Sequence, residues 1–464
     1  MFISKIEISN YRLFDAGSVF SIAEFNIPDG DTPGSGINVF VGENSSGKTT
    51  LLDAIALTLL EYKSDSFSID DVNDPQQETI INVYSEEAFS VKGTMPKNEF
   101  NALGFTFKAH IRSRSTGTYL SSIIVSDQLF IKENPEKPAD GSPDLRVNVN
   151  NPFSGKRFNE NDILFLDRSR YNQTKSGTFS QTRFDRMLED LDYQYIKGMN
   201  SVPDINTAVS EQVHRASVFS APLSSTVSEF KDITGIPVTL DFVDNYRPFK
   251  EALFVQRKSN NQQIRLSNMG SGYEMLFALI YAYNMACQSN KQLIILIDEP
   301  ELHMHPSLQR KLVDYLLKIS ATAQIFLSTH SALLIKQLSG VNVAKIMVLQ
   351  RQDKPVEMAE RKLPYISANE TNYLAFGLAT EEYHNELYEH LKSLHGEELD
   401  YKKFDYQYFI AEKGEVKDRP WKGHPNEVSI NTHVRNQIHH SADNGFPSEE
   451  DLRLSIEKMR SYIS

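Results

Sequence analysis

One run of the chain, Gly42-Glu43-Asn44-Ser45-Ser46-Gly47-Lys48-Thr49, matches the pattern G-x-x-x-x-G-K-[ST] at every fixed position. The residue types state the chemistry. Glycines let a turn aim its backbone N–H groups at phosphate oxygens, and a helix starting there adds its positive end. Lys48 then meets the β- and γ-phosphates, and the Thr49 hydroxyl is placed to hold Mg²⁺, with Thr50 next in the same turn. The whole of Gly42–Thr50 is therefore the candidate site for ATP with Mg²⁺.

A second constellation lies far along the chain, where the apolar run Leu293–Ile297 ends in Asp298-Glu299-Pro300. A strand that delivers two carboxylates to one sheet edge gives them different work. Asp298 orders Mg²⁺ through its waters, and Glu299 polarises the attacking water as general base. Alone, such a segment reads as a solvated acidic turn; beside a P-loop it reads as a catalytic edge. His330 follows another buried run, where a neutral imidazole senses or orients the γ-phosphate. Lys48, Glu299 and His330 are thus the candidate catalytic residues, with Thr49 and Asp298 on the metal. His303 and His305 lack a third or fourth ligand nearby and fit the lining of the nucleotide site or a subunit contact better than a metal pair. Gly270-Ser271-Gly272-Tyr273-Glu274, opening a long apolar stretch, is a second place where N–H groups and a hydroxyl grip phosphate, or else a helix cap.

These residues need elements to hold them. The run Ile37–Val41 is a strand entering the glycine loop, and Leu51, Leu52, Ile55, Ala56, Leu59 and Leu60 recur at helical spacing from Thr49 onward. Strands at Leu293–Ile297 and Gln324–Ser328, with a helix over Leu308–Ile319 between them, make a parallel crossover that brings both polar ends to one edge. The expected fold is α/β, a P-loop ATPase head with a mainly parallel central sheet, accessory β-rich and helical insertions, and a mainly helical C-terminal module. Its parts are 1–62 with the P-loop, 63–170 as an accessory β-rich part, 171–250 as a helical arm or lid, 251–362 completing the head, and 363–464 as a partner-docking module. The arm rests on periodicity around Met187, Leu188 and Leu191. At the far end, Ser448 and Asp451 resemble a capping box before an amphipathic helix through Leu452, Ile456, Met459 and Ile463.

Composition sets outer bounds. The 464 residues are 40% apolar and 23% charged, which excludes wholesale disorder, collagen and a long coiled coil. Lys plus Arg at 48 against Asp plus Glu at 61 leaves −13, so a surface coated for nucleic-acid backbone is disfavoured, while a local basic groove stays open. A single cysteine, Cys287, builds neither a disulfide framework nor a thiolate metal site and fits a reducing cytoplasm. The N-terminal residues lack the pattern of a signal peptide, and no apolar run reaches the ~18 residues that span a bilayer. Neither secretion nor membrane insertion is expected.

In this order, P-loop, signature turn, paired acids and histidine, the sequence resembles the ABC-type ATPases of the SMC, RecF and overcoming-lysogenization-defect group over most of residues 1–345. The resemblance implies a head-to-tail homodimer, or a higher oligomer, with ATP at the interface. In it, Ser271 and Gly272 of one copy complete the site of the other, and Arg12 in Asn10-Tyr11-Arg12-Leu13-Phe14 is the N-terminal arginine near the nucleotide. The signature departs from Leu-Ser-Gly-Gly-Gln/Glu, and Gln76 and Gln77 are the only candidates for a glutamine loop. In the C-terminal part, Thr380–Tyr388 and Arg435-Asn436-Gln437-Ile438-His439-His440 look like motifs of ATPase subunits of anti-phage systems, in particular those of Septu and Septu-like retrons. That resemblance implies an HNH nuclease partner of the PtuB kind, restrained or licensed by the ATPase. Three alternatives stay open: a RecF- or SMC-like DNA-repair ATPase, a defence ATPase with another effector as in PARIS systems, and an intrinsic ribonuclease of HEPN type using Arg435 and His440. For the last, a helix face or docking surface is the competing reading, since His439, not His440, lies a full helical turn from Arg435.

Overall fold

Strands buried on both faces read as unbroken apolar runs, and three such runs form the centre of the computed structural model of this chain. The structure describes residues 2–59, 67, 69–92, 99–113, 118–126, 144–147, 161–166, 224–240, 253–256, 263–265, 270–288, 292–302, 304–341, 343–351, 356–421 and 424–463. Two compact units divide it, Met1–Glu357 and Met358–Ser464.

In the first unit, β1 (Lys5–Ser9), β2 (Phe20–Ile22) and β3 (Ile37–Val41) precede helix α1 (Lys48–Leu59). Strands β4 (Thr79–Lys92), β5 (Glu99–Ser113), β6 (Thr118–Ser126), β7 (Asp144–Val147) and β8 (Asn161–Leu166) follow. After helix α2 over residues 224–234 come β9 (Val238–Leu240), β10 (Leu253–Gln256) and β11 (Gln263–Arg265). The unit then runs through α3 (Ser271–Gln288), β12 (Gln292–Asp298), α4 (Pro306–Ile319), β13 (Ala323–Thr329), α5 (Ala332–Ser339) and β14 (Lys345–Gln350).

The six-stranded central sheet has the two-residue strand β15 (Glu357–Met358) beside the run β14-β3-β13-β12-β8, and the strands of that run are mutually parallel, as the crossover pattern predicted. Its order carries the functional consequence. Strand β13 lies between the P-loop strand β3 and the acidic strand β12, in a register that pairs Asp298 with Ser328 and Thr329 with Val41. Every strand of that run therefore delivers its C-terminal residue to the same edge, where crevices of parallel sheets bind ligands. Residues Asn161–Leu166, expected in the accessory β-rich part, instead pair with β12 in this sheet. Their apolar core, Ile163 to Leu166, suits a doubly covered strand.

A second, antiparallel sheet of order β2-β1-β4-β5-β6-β7 joins β1 and β2 from the N-terminal part to four strands from the stretch expected to be β-rich. Ile6 and Ile8 pair with Val83 and Ile81, and their alternation turns one face inward. Helix α1 lies between the sheets, touching β12 and β13 on one side and β4 and β5 on the other. Burial all round explains why it is apolar beyond a single stripe: Leu51, Leu52, Ile55 and Ala56 share a core with Ile6, Ile8, Ile81, Val83 and Phe107. Of the helical arm expected over 171–250, residues 171–223 and 241–250 lie outside the described residues.

The second unit is mainly helical. It contains α6 (Ala368–Phe376), α7 (Glu381–His395), the short α8 (Tyr401–Phe404) running into a π-helical turn at Asp405–Glu412, a hairpin of Arg419–Trp421 with His424–Val428, α9 (Ile430–His439), the short α10 (Ser441–Asn444) and α11 (Glu449–Tyr462). Ser448 accepts from the Asp451 N–H at 3.1 Å, which is the cap the sequence predicted, and Leu452, Ile456 and Met459 turn into the core. That core is aromatic, with Tyr383, Tyr388, Phe404, Tyr408 and Phe409 packed on Leu387 and Val434. A polar chain runs through it: His384 Nε2 meets Ser455 Oγ at 2.9 Å, and Ser455 donates to Asn431 at 2.8 Å.

Candidate functional site

Sharp reversal of the chain between β3 and α1 needs backbone that side chains obstruct. Gly42 has φ +155°, and a Cβ there would stand 2.3 Å from the Leu349 carbonyl oxygen. Glu43, Asn44 and Ser45 form the exposed tip, while Ser46, Gly47, Lys48 and Thr50 are buried. Lys48 folds back over the loop, donating to the carbonyl oxygens of Gly42 at 2.9 Å and Glu43 at 2.8 Å, and to Ser46 Oγ at 3.4 Å. A buried ammonium that donates to these neutral oxygens is set to exchange them for phosphate oxygens.

Asp298 ends β12 with 1% exposure. Thr49 Oγ1 lies 3.1 Å from both its carboxylate oxygens, and Ser328 Oγ on β13 also donates to it. Burial pushes the Asp298 carboxyl up, against the lowering effect of the Ser328 and Thr49 hydroxyls. Glu299 follows at φ +47°, a conformation costly for a side-chain-bearing residue. Its N–H donates to the Ser328 carbonyl at 3.2 Å and to Ser328 Oγ at 3.0 Å, which pins the turn. The Glu299 carboxylate faces His330 Nε2 at 3.3 Å. Lys48, Thr49, Asp298, Glu299 and His330, read from separate parts of the sequence, thus meet on one sheet edge.

Two sets of contacts escaped the sequence reading. Ser328 serves Asp298 and Glu299 together, and Glu301 Oε1 accepts from the His330 N–H at 2.6 Å and from Thr329 Oγ1 at 2.9 Å. Burial pushes the Glu301 carboxyl up, with these donors opposing it. The third acid two residues after Glu299 was the available signal.

Arg12 sits at φ +48° and holds two carboxylates, Asp53 at 2.6 Å and Asp71 at 2.7 Å. Asp53 is one turn after Thr49 on α1, so Arg12 is braced against the P-loop helix. Gln76 and Gln77 belong to a turn organised by Asp74, whose carboxylate accepts from the Gln76 N–H and from Gln77 Nε2. His305 caps α4, accepting from the Ser307 N–H, and His303 lies outside the described residues. Ser271 and Gly272 form the first turn of α3, a helix packed on β12 and β8. No group of three His, Cys, Asp or Glu side chains is arranged for a metal among the described residues. Thr49 and Asp298 offer a different donor set, a hydroxyl and a carboxylate beside the phosphate loop, which is how Mg²⁺ is held when phosphates supply the other ligands.

Two family models match spans of the chain that contain these residues. Residues 5–196 match the AAA domain family model, and residues 169–335 match that of the AAA ATPase domain. The first span contains the P-loop and the second the signature turn, the paired acids and His330. A retron Vc95 probable ATPase of Vibrio cholerae serotype O1 biovar El Tor is 23% identical over 407 residues, covering 76% of this chain and 75% of that protein. Among solved structures, an SMC head bound to the C-winged helix domain of ScpA aligns at 15% identity and TM-score 0.47, over 77% of this chain and 97% of that one. The SMC head domain of Thermotoga maritima aligns at 13% identity and TM-score 0.37, over 78% and 100%.

Proposed function

We propose that this chain, a P-loop ATPase, uses ATP to close two copies of itself head to tail and thereby controls an effector nuclease in an anti-phage system of retron type. Thr49 and Asp298 would hold Mg²⁺. The ion would supply charge neutralisation between the β- and γ-phosphates. Lys48 exchanges the Gly42 and Glu43 carbonyls for phosphate oxygens, and the loop N–H groups bind the rest. Glu299 takes the proton of the attacking water, and His330, 3.3 Å from it, orients that carboxylate and the γ-phosphate. Ser271 and Gly272 of the second copy close the site, which makes the ligand part of the interface. Binding then shifts assembly because ATP contacts the closed state at more points than the open one.

The observation that carries this reading is the meeting of Thr49, Asp298, Glu299 and His330 on one edge, with Thr49 Oγ1 equidistant from both Asp298 oxygens. The retron relative supports the defence setting, and an HNH nuclease of the PtuB kind is the effector we favour. Calorimetry and turnover test the site together. Lys48→Ala should abolish the heat of ATP·Mg binding. Glu299→Gln should keep that heat and lose about a hundredfold in hydrolysis, the usual contribution of a positioned base. Equal turnover by wild type and Glu299→Gln removes the proposed base. Co-purification with the product of a neighbouring HNH gene tests the effector.

A further inference from the structure

Arg435 on α9 is a buried cation with no acidic partner among the described residues. With 9% exposure it is the most buried arginine of the C-terminal unit, yet no carboxylate lies within ion-pair distance of it among the described residues. Three less buried arginines there have acidic partners, Arg419 with Asp451 at 2.8 Å, Arg460 with Glu370 at 3.1 Å and Arg361 with Glu370 at 3.9 Å, while the exposed Arg453 faces solvent and the Gly377 carbonyl. Arg435 instead stacks on the Tyr401 ring, its Cζ 3.6 Å from the centroid, and makes one long hydrogen bond, 3.4 Å, to Asn436 Oδ1. Its Nε is buried without a partner. Buried guanidinium groups normally find a carboxylate or a phosphate, because removing the charge from water is costly.

The surroundings add donors. His439 and His440 end the same helix and are exposed, and the carbonyl end of a helix favours positive charge. Glu389 on α7 is the acid at the rim, and it takes the Tyr401 hydroxyl at 3.3 Å rather than the guanidinium. Lys392, three residues further along α7, stands over the same Tyr401 ring at 5.4 Å.

We propose that Arg435, His439 and His440 form an anion pocket that takes the phosphate group of a nucleotide or of a single-stranded nucleic acid. A guanidinium fork and two imidazoles present more N–H donors than a planar carboxylate accepts, which favours a tetrahedral oxyanion. This inference is independent of how the ATP site works.

The test uses the full chain with the P-loop saturated by ADP·Mg and a labelled 5′-hydroxyl RNA oligonucleotide read by fluorescence anisotropy. Binding is expected, weakened at least about tenfold in Arg435→Ala, about the loss of one charge-assisted contact. Glu389→Gln should tighten it a few-fold by removing the opposing charge, and the exposed His440→Ala should weaken it. These two variants, with melting temperatures unchanged, keep the test decisive if Arg435→Ala does not fold. Displacement by inorganic phosphate or AMP places recognition in the phosphate group; binding of those two without the oligonucleotide assigns the pocket to a free ligand. The proposal is overturned if wild type binds none of the three, if Glu389→Gln and His440→Ala leave every affinity unchanged, or if only a polyglutamate peptide competes.

Discussion

Glu301 fixes the proposed hydrolytic pair, Glu299 and His330, without being part of it. Its Oε1 holds the backbone N–H of His330 and the hydroxyl of Thr329, so the imidazole stands opposite Glu299 because a third acid anchors its main chain. Glu301→Ala should lower kcat by about tenfold or more with KM for ATP little changed, since a small misplacement of a reacting group is enough for such losses. Glu301→Gln keeps the accepting oxygen and should retain most activity. A residue acting through His330 has a further signature: in the double variant with His330→Ala, the Glu301→Ala cost should vanish, whereas additive losses would show that Glu301 acts by another route.

At the scale of elements, local signals and long-range pairing separate cleanly. The P-loop, the helix after it and the acidic strand were legible because each is a short, self-contained pattern, and α1 begins at Lys48, one residue before the Thr49 read from the spacing. The insertion of β13 between β3 and β12, and the pairing of Asn161–Leu166 with β12, were not, because strand order is a choice among distant partners that periodicity does not encode. The same limit hid Ser328 and the Arg12 bridge to Asp53 and Asp71, both made across elements. The C-terminal unit supplies two tests of its own elements. Ser448→Ala removes the α11 cap and should cost about 1 kcal/mol in chemical denaturation. His384, wholly buried between α7 and α11, has its imidazole pushed down to about 3 by burial. An unfolded histidine binds its proton near pH 6.5, so between about 6.5 and 3 the unfolded chain holds the extra proton. Stability contributed by the neutral ring is complete above that window and falls as pH drops through it, by up to about 1.4 kcal/mol per unit. His384→Gln should flatten that slope; an unchanged slope would place the titration elsewhere.

For the whole molecule, the central claim is that bound ATP joins two copies. A chain carrying −13 repels its own kind, and a ligand gripped from both sides adds contacts that oppose that repulsion. Interfaces built around such a ligand should come apart when it is hydrolysed, which is why the hydrolysis-defective variant is the right material. Sedimentation velocity of Glu299→Gln at micromolar concentration, with and without ATP·Mg, asks the question directly. We expect the sedimenting mass to double with ATP·Mg and to stay unchanged with ADP·Mg, and Ser271→Arg, which obstructs the signature turn, to abolish the doubling while leaving ATP bound. A Glu299→Gln chain that binds ATP and sediments with the same mass in its presence and absence would contradict the account.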